Sequence, residues 1–314
     1  MAEMMKKATR ESYGMALSQL GEEFPQIVVL DADLAEATKT GIFKKKYPKR
    51  FVDCGIAEGN MMGVAAGLAT CGKIPFATSF AMFATGRAFE QVRNSICYPH
   101  LNVKVVGTHA GISVGEDGAT HQCLEDIALM RSLPGMTVIS PSDHYETVAA
   151  VRAAVEHEGP VYLRLSRLAV ESFNNSDDYR FELGRGVTLR DGKDVTIIAT
   201  GLMVSRALEA VKLLEQKGID ARLVNIHTIK PIDRELILKA AGETGKLITV
   251  EEHNVIGGLG DAVAAVLSEE LPTPLRKIGV NDQFGHSGPA AALLEQFGLC
   301  ASNIAEVTEE FLKK

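Results

Sequence analysis

The feature that most constrains this chain is a repeated alternation of short apolar runs with longer segments of helical periodicity. Strand-like runs occur at 27–30, 51–56, 74–78, 103–107, 137–140 and 161–165. Helical patterns lie between them, at 8–21, 60–71, 88–97 and 145–157. Alternating strands and helices are typical of a mainly parallel β-sheet that is covered by helices.

A second series of the same kind follows a polar stretch rich in Ser, Asn, Asp and Arg, which is typical of a linker. Its strand-like runs are 195–199, 222–226, 246–250 and 275–280, and its helical patterns are 205–217, 234–244, 260–270 and 290–297. The sequence therefore predicts two consecutive α/β domains with mainly parallel sheets. We place them at residues 1–172 and 193–314, with a linker at 173–192.

Composition narrows the class of protein. The chain has 314 residues, of which 46% are hydrophobic, and this is enough material for two cores. Lys and Arg total 33 against 40 Asp and Glu, and the net charge of −7 argues against a general nucleic-acid binder. The five cysteines show no metal-ligand spacing, and we find no signal peptide and no apolar run long enough to cross a bilayer. We expect a cytoplasmic enzyme with neither nucleic acid nor membrane as a partner.

Several reactive side chains follow the predicted strands of the first domain. In open parallel sheets, ligands bind at the carboxyl ends of the strands. The side chains expected there are Asp33, Glu58, Phe80, Phe83, His109, His121 and Arg167. This combination suits a cofactor enzyme that acts on a phosphorylated, hydroxylated substrate.

Each of these residues also has a purely structural interpretation. Glu58 would be favoured at the start of a helix by about 0.3–1 kcal/mol through the helix dipole. Phe80 and Phe83 would suit a hydrophobic core, and Arg167 would suit a surface ion pair.

The stretch between His109 and His121 is harder to explain by packing alone. The two histidines are twelve residues apart, and three glycines between them allow tight turns and close approach of a ligand. A metal site made of His109, Asp117 and His121 fits no recurring zinc spacing, so we assign no metal ligand in this chain.

Four motifs in order resemble the transketolase family. Residues 108–122, Thr-His-Ala-Gly-Ile-Ser-Val-Gly-Glu-Asp-Gly-Ala-Thr-His-Gln, resemble its substrate loop. Residues 55–61, 78–83 and 165–167 are similar to its cofactor-glutamate segment, its aminopyrimidine pocket and its phosphate arginine. The likeness covers roughly residues 5 to 170, and the remainder looks like the C-terminal domain of the family.

The resemblance implies an activity and a cofactor. Transketolases use thiamine diphosphate and Mg²⁺ to transfer a two-carbon ketol unit from a ketose phosphate to an aldose phosphate in the pentose phosphate pathway. By this likeness Glu58 would be catalytic, with its protonated carboxyl bonded to N1′ of the aminopyrimidine. Phe80 and Phe83 would line and stack on that ring.

The same likeness implies roles for the substrate residues. His109 and His121 would bind substrate oxygens and help to move protons, so both are expected to be catalytic as well as substrate-binding. Asp117 would accept a hydrogen bond from the hydroxyl beside the reacting carbon. Arg167 would bind the terminal phosphate.

Some family features are missing or altered. The Gly-Asp-Gly motif with its more distant Asn, which holds the diphosphate and Mg²⁺, is absent. The chain therefore resembles the second half of a split transketolase, which would need a separate N-terminal subunit and would form a homodimer within an α2β2 heterotetramer. The family's arginine near the start of this domain is matched to Lys6, and its serine after Ala-Asp-Leu-Ala is matched to Ala37 or Thr38.

Three alternatives remain at this point. Deoxyxylulose phosphate synthase and the beta subunit of 2-oxo acid dehydrogenases share the fold that the resemblance implies, and a non-catalytic interaction subunit could also retain it. The pairing of His109 with His121 favours transketolase over the first two. Intact Glu58, Asp117 and Arg167 count against a non-catalytic subunit.

Overall fold

A computed structural model describes residues 6–174 and 179–314. Residues 1–5 of the first predicted domain and residues 175–178 of the predicted linker lie outside the described residues. The strands are β1 (Lys6–Ala8), β2 (Ile27–Asp31), β3 (Phe51–Asp53), β4 (Ile74–Phe80), β5 (Lys104–Thr108), β6 (Thr137–Ile139), β7 (Val161–Arg164), β8 (Ala169–Glu171), β9 (Val187–Arg190), β10 (Val195–Ala199), β11 (Ala221–Asn225), β12 (Thr228–Lys230), β13 (Leu247–Asn254) and β14 (Leu275–Val280).

Helices connect most of these strands. The α-helices are α1 (Thr9–Glu23), α2 (Ala35–Thr38), α3 (Gly41–Lys46), α4 (Glu58–Thr70), α5 (Phe89–Gln91), α6 (Asp126–Ser132), α7 (His144–Glu156), α8 (Met203–Gln216), α9 (Arg234–Thr244), α10 (Leu259–Glu270), α11 (Ala290–Gln296) and α12 (Ala301–Leu312). The segments Met82–Arg87 and Val92–Cys97 are π-helical, and Pro48–Arg50 and Ile112–Val114 are 3₁₀ turns. Within the described ranges, we find no helix with the length and apolar character needed to span a membrane.

The described strands form two large sheets and a small one. The seven-stranded sheet has the order β12-β6-β7-β5-β4-β2-β3, and its strands are parallel except at β12. The five-stranded sheet has the order β14-β13-β10-β11-β9 and is parallel except at β9. The prediction of two consecutive α/β domains with mainly parallel sheets is confirmed. The limits 1–172, 173–192 and 193–314 stay a prediction, and β9 lies within the span predicted as a linker.

The central strands are buried along their whole length because helices cover both faces of each sheet. Side chains alternate between the two faces. Val29 and Phe76 belong to one core and Leu30 and Ala77 to the other, on opposite sides of the first sheet. Burial of a large apolar side chain such as Phe76 contributes about 1.5–3 kcal/mol.

The span 88–97 is not the single α-helix that its periodicity predicts. The α-helical turn α5 lies between two π-helical segments, and the amide of Ala88 donates to the carbonyl of Phe83, five residues back. This wider turn brings Arg87 back over the ring of Phe83. A hydrophobic pattern does not reveal one extra residue per turn, and π-helical turns are frequent at functional sites.

The register of the first sheet gathers the ends of its strands at one edge. Asp31 pairs with Thr78, and Phe80 pairs with Thr108. Asp53 at the end of β3 pairs with Asp31 as well. The segments that follow β2, β3, β4, β5 and β7 therefore begin at the same edge of the sheet. They carry the residues that the sequence singled out.

The second half of the chain holds the loop at 109–122 in place. Glu252 at the end of β13 is fully buried, and its Oε1 accepts from the amide of Ser113 at 2.6 Å. Gln122 Nε2 donates to the carbonyl of His286 at 3.0 Å. Gly111 has φ +85°, and a Cβ there would lie 2.3 Å from the Glu252 carboxyl, so this position requires glycine.

Candidate active site

Glu58 is a buried acid at the start of a helix. It is the first residue of α4, and only 1% of its side chain is exposed. Arg87 Nη1 donates to its Oε2 at 2.8 Å. A carboxylate this deeply buried needs a cationic or hydrogen-bonding partner, and the guanidinium supplies one here.

Phe80 and Phe83 form an aromatic wall beside this carboxylate. Their ring centroids are 6.1 Å apart, and the ring planes differ by 12°. Phe80 ends β4 and is almost fully buried, whereas Phe83, three residues later, is half-buried. The guanidinium carbon of Arg87 lies 4.4 Å from the Phe83 ring centroid, on its face.

His109 packs on the other side of Phe80. It follows β5, is 4% exposed, and stacks on the Phe80 ring at a centroid distance of 3.9 Å. Its φ of +55° is uncommon for a residue with a side chain and is often found at functional sites. Its Nδ1 lies 2.9 Å from Thr108 Oγ1, and its Nε2 lies 3.2 Å from Arg10 Nη1.

These contacts fix the protonation of His109. A guanidinium only donates, so Nε2 accepts from Arg10 and the ring proton lies on Nδ1, which donates to Thr108. Burial, followed by the nearby positive charges of Arg10 and Arg167, lowers the pKa of His109 to about 3. The imidazole is therefore neutral at physiological pH.

His121 and Asp117 lie further along the same loop. The His121 ring meets Phe83 edge-on, with centroids 5.2 Å apart and an interplanar angle of 78°. Thr120 Oγ1 lies 2.9 Å from its Nδ1. Asp117 is exposed. The structure thus brings Glu58, Phe80, Phe83, His109 and His121 into one cluster and places Asp117 on the exposed part of the loop.

Two arginines lie close together beyond His109. Arg167 Nη1 contacts the carbonyl of Val114 and donates to Glu116 Oε2 at 2.9 Å. Arg10 Nη1 donates to the carbonyl of Ala37 at 2.6 Å, and its buried Nε has no hydrogen-bond partner within residues 6–174 and 179–314. Burial, more than the nearby charge of Arg167, lowers the pKa of Arg10. Two adjacent guanidiniums with a spare donor suit a tetrahedral anion.

Arg10, rather than Lys6, is the cation that α1 brings to this cluster, so the match to Lys6 is wrong. Lys6 is exposed on β1, where it pairs with Glu171 of β8. Arg10 lies in the first turn of α1, where the helix dipole disfavours a positive charge. A cation at such a position was a sequence signal for function.

The serine matched to Ala37 or Thr38 has no free counterpart at either position. Ala37 offers its backbone carbonyl to Arg10. The hydroxyl of Thr38 is buried and donates to Asp31 Oδ2 at 2.7 Å, and burial raises the pKa of Asp31.

Among residues 6–174 and 179–314, no group of three or more His, Cys, Asp or Glu is placed to hold a metal ion.

Comparisons with known proteins identify the family. The model of the family "Transketolase, pyrimidine binding domain" matches residues 5–172, and that of "Transketolase, C-terminal domain" matches residues 184–304. The chain belongs to the transketolase family. The predicted resemblance is confirmed, and this is a thiamine diphosphate-dependent family.

Two proteins and one solved structure match this transketolase-family chain along nearly its whole length. A putative transketolase C-terminal section from Methanocaldococcus jannaschii is 51% identical over 310 residues, which cover 98% of this chain and 97% of that protein. A 6-deoxy-6-sulfo-D-fructose transketolase subunit from Clostridium sp. is 45% identical over 97% of this chain and 94% of that protein. A solved structure described as a split gene transketolase, inactive beta4 tetramer, is 58% identical, covers 98% of both chains and superimposes with a TM-score of 0.91.

Proposed function

We propose that this chain is the catalytic C-terminal subunit of a split transketolase, which transfers a two-carbon ketol unit from a ketose phosphate to an aldose phosphate. The observation that carries the proposal is the buried carboxyl of Glu58 beside the half-buried ring of Phe83. The thiamine aminopyrimidine is a flat ring with a nitrogen at its edge. A carboxyl at the edge and an aromatic face beneath fit that group.

Glu58 and the phenylalanines hold the cofactor in this proposal. The carboxyl of Glu58 would donate a hydrogen bond to N1′ of the aminopyrimidine, and Phe80 and Phe83 would line and stack on that ring. Bound thiamine diphosphate supplies the electron sink for the carbon–carbon bond cleavage. Exclusion of water around Glu58 and the two rings strengthens the proposed hydrogen bond between the Glu58 carboxyl and N1′.

The loop residues orient the sugar. His109 is neutral, and its accepting Nε2 is bonded to Arg10 in this structure. In this proposal a substrate hydroxyl replaces Arg10 at Nε2 when the guanidinium turns to the anion, and the imidazole then takes part in proton movement. His121, at the edge of Phe83, binds a second substrate oxygen. Asp117 accepts from the hydroxyl beside the reacting carbon and so selects its configuration.

Arg10 and Arg167 form the proposed anion site at the far end of the substrate. Both guanidiniums reach one region beyond His109, and each can donate two parallel hydrogen bonds to a tetrahedral anion. We propose a sugar phosphate as the ligand. A terminal sulfonate, as in the name of the Clostridium relative, presents a similar set of oxygens.

A separate N-terminal subunit completes the cofactor site in this proposal. The sequence lacks the family's diphosphate motif, and relatives matched along nearly their whole length are named a C-terminal section and a subunit. The related structure described as an inactive beta4 tetramer supports a requirement for a second kind of chain. We propose that this subunit provides the diphosphate and Mg²⁺ ligands, within a cytoplasmic α2β2 assembly that serves the pentose phosphate pathway.

Exposed apolar side chains near the start of α4 support this assembly. Ile56, two residues before Glu58, is 75% exposed, and Val52 and Val64 are also exposed. Gly63 and Gly67 on the outer side of α4 have no atom within 4 Å of an added Cβ in the described structure. Small and apolar residues at such a position allow close approach of another chain.

The decisive experiment is a ketol-transfer assay with xylulose and ribose phosphates, thiamine diphosphate and Mg²⁺, run with and without the candidate N-terminal chain. We expect activity only on mixing. A Glu58→Ala chain should assemble and remain folded but lack transfer, and the matched control Glu156→Ala, an exposed acid at the end of α7, should retain it. Normal turnover by Glu58→Ala would remove Glu58 from the mechanism, and inactivity of the wild-type pair would refute the proposed function.

A further inference from the structure

Arg87 occupies the position that contacts both Glu58 and Phe83, and we call this position the pocket. Its guanidinium donates to the Glu58 carboxylate at 2.8 Å and covers the face of the Phe83 ring at 4.4 Å. The side chain is anchored on the π-helical segment that also carries Phe83. One planar, nitrogen-bearing group therefore makes two contacts at once, an edge contact to the acid and a face contact to the aromatic ring.

The proposed function assigns the same two contacts to the thiamine aminopyrimidine. That ring would stack on Phe83 and place a nitrogen against Glu58. Two planar groups cannot share one aromatic face and one carboxyl edge. We infer that Arg87 is an internal substitute for the aminopyrimidine, which it must vacate before the cofactor can bind; this inference rests on the proposed function.

The charge of Glu58 makes the two states mutually exclusive. A carboxylate that accepts from a guanidinium is ionised, whereas the hydrogen bond to an unprotonated ring nitrogen needs a carboxyl that carries a proton. Departure of Arg87 leaves a nearly inaccessible carboxyl without its partner, and such a group needs another hydrogen-bonding partner. Arg87 thus occupies the acid, and its release makes the acid available to the cofactor.

The exposure of Arg87 makes this release possible. Half of its side chain, 51%, is in contact with solvent, whereas the partner carboxylate is 1% exposed. Rotation about the side-chain bonds moves the guanidinium into water without any backbone change.

The test measures binding to the isolated full chain and needs no catalysis. The probe is 4-amino-5-hydroxymethyl-2-methylpyrimidine, the ring half of thiamine, titrated by calorimetry or ligand-observed NMR up to millimolar concentration. If Arg87 leaves the pocket free in about one molecule in ten, its removal tightens binding about tenfold. We expect this gain for Arg87→Ala and a similar gain for Arg87→Gln, which keeps a long polar side chain but no charge.

The matched control is Arg93→Ala. Arg93 is an exposed arginine six residues on, and the structure pairs it with Asn94. The Arg93→Ala substitution removes the same charge from the same part of the chain, and we expect it to leave the probe affinity unchanged. Circular dichroism melting of each variant checks that the fold is retained.

A double variant tests the role of Glu58. In a Glu58→Gln chain the guanidinium has no ionic partner, so adding Arg87→Ala should improve affinity less than it does in the wild-type chain. If Arg87→Ala improves probe affinity equally in the wild-type and Glu58→Gln chains, Glu58 does not hold Arg87 in the pocket, and the inference is contradicted.

Failure of the inference is distinct from failure of the proposed function. If neither Arg87 variant binds the probe more tightly than the wild-type chain, including the case in which none binds, the inference is overturned even when the wild-type pair of subunits is active. An inactive wild-type pair removes the proposed function, and the inference falls with it.

Discussion

The unusual protonation of His109 can be tested directly by replacing its neighbour Arg10. Burial and the surrounding cations lower the pKa of this imidazole to about 3. Replacement of Arg10 by Gln removes the cation whose Nη1 lies 3.2 Å from Nε2 and admits water to the ring. Both changes favour the imidazolium, so the pKa of His109 should rise toward its ordinary value of 6.5.

The size of the effect follows from the two pKa values. At pH 5 a histidine of pKa 3 is about 1% protonated, whereas one of pKa 6.5 is about 97% protonated. The unfolded chain binds this proton below pH 6.5 and the folded chain does not. Stability from His109 is therefore complete above pH 6.5 and is lost as the pH falls toward 3, at about 1.4 kcal/mol per pH unit. By pH 5 the loss is about 2 kcal/mol.

The assay is a pH titration of the ring carbon signals by NMR with ¹³C-labelled histidine. A His109→Asn variant identifies the signal that belongs to His109. The wild-type signal should stay constant from pH 8 to pH 5, and the Arg10→Gln signal should move within that range. A wild-type His109 signal with a midpoint near 6.5 would refute the reasoning.

Two further predictions concern the substrate end and a buried ion pair of the first domain. Arg10→Gln should raise the KM for a phosphorylated ketose by about 10–100-fold because a charge-assisted hydrogen bond is lost, and it should have little effect on an unphosphorylated donor; the exposed Arg152→Gln is the control, and equal effects on both donors would argue against an anion site. Asp126→Asn should lower the free energy of unfolding in urea by about 3–5 kcal/mol, since Asp126 is fully buried and accepts from Arg164 Nε at 2.7 Å. Glu22→Gln in the exposed pair with Lys46 should change it by at most about 1 kcal/mol, and a similar small loss at Asp126 would contradict the burial argument.

The sheets could be predicted from sequence because each central strand is buried on both faces. A run such as Ile27 to Leu30 is apolar at every position, and this is what a strand between two layers of helices requires. The edge strands of the sheets could be predicted less well from the sequence. β12 has only three residues and joins a sheet formed by the other half of the chain, so no local pattern indicates its partner.

The candidate site was predicted to the extent that short motifs carry it. Glu58, Phe80, Phe83, His109 and His121 converge because parallel strands end at one edge, and their proposed roles stay predictions. Arg10 was missed because it was sought at Lys6, and only the folded structure places it 99 residues away in sequence beside His109.

Arg87 and Glu252 were missed for other physical reasons. The position of Arg87 depends on a π-helical turn, which periodicity does not register. Glu252 contacts Ser113 across 139 residues of sequence, and nothing near either residue indicates that contact.

The pairing of β12 with β6 has a consequence for how the protein can be made. The edge of the first sheet remains uncovered until residues 228–230 have been synthesised, although all its other strands are complete by Arg164. A nascent chain therefore exposes the free hydrogen-bonding groups of β6 while some sixty further residues emerge from the ribosome. A fragment cut at the polar stretch would keep that exposed strand permanently, and two such fragments could pair with each other through it.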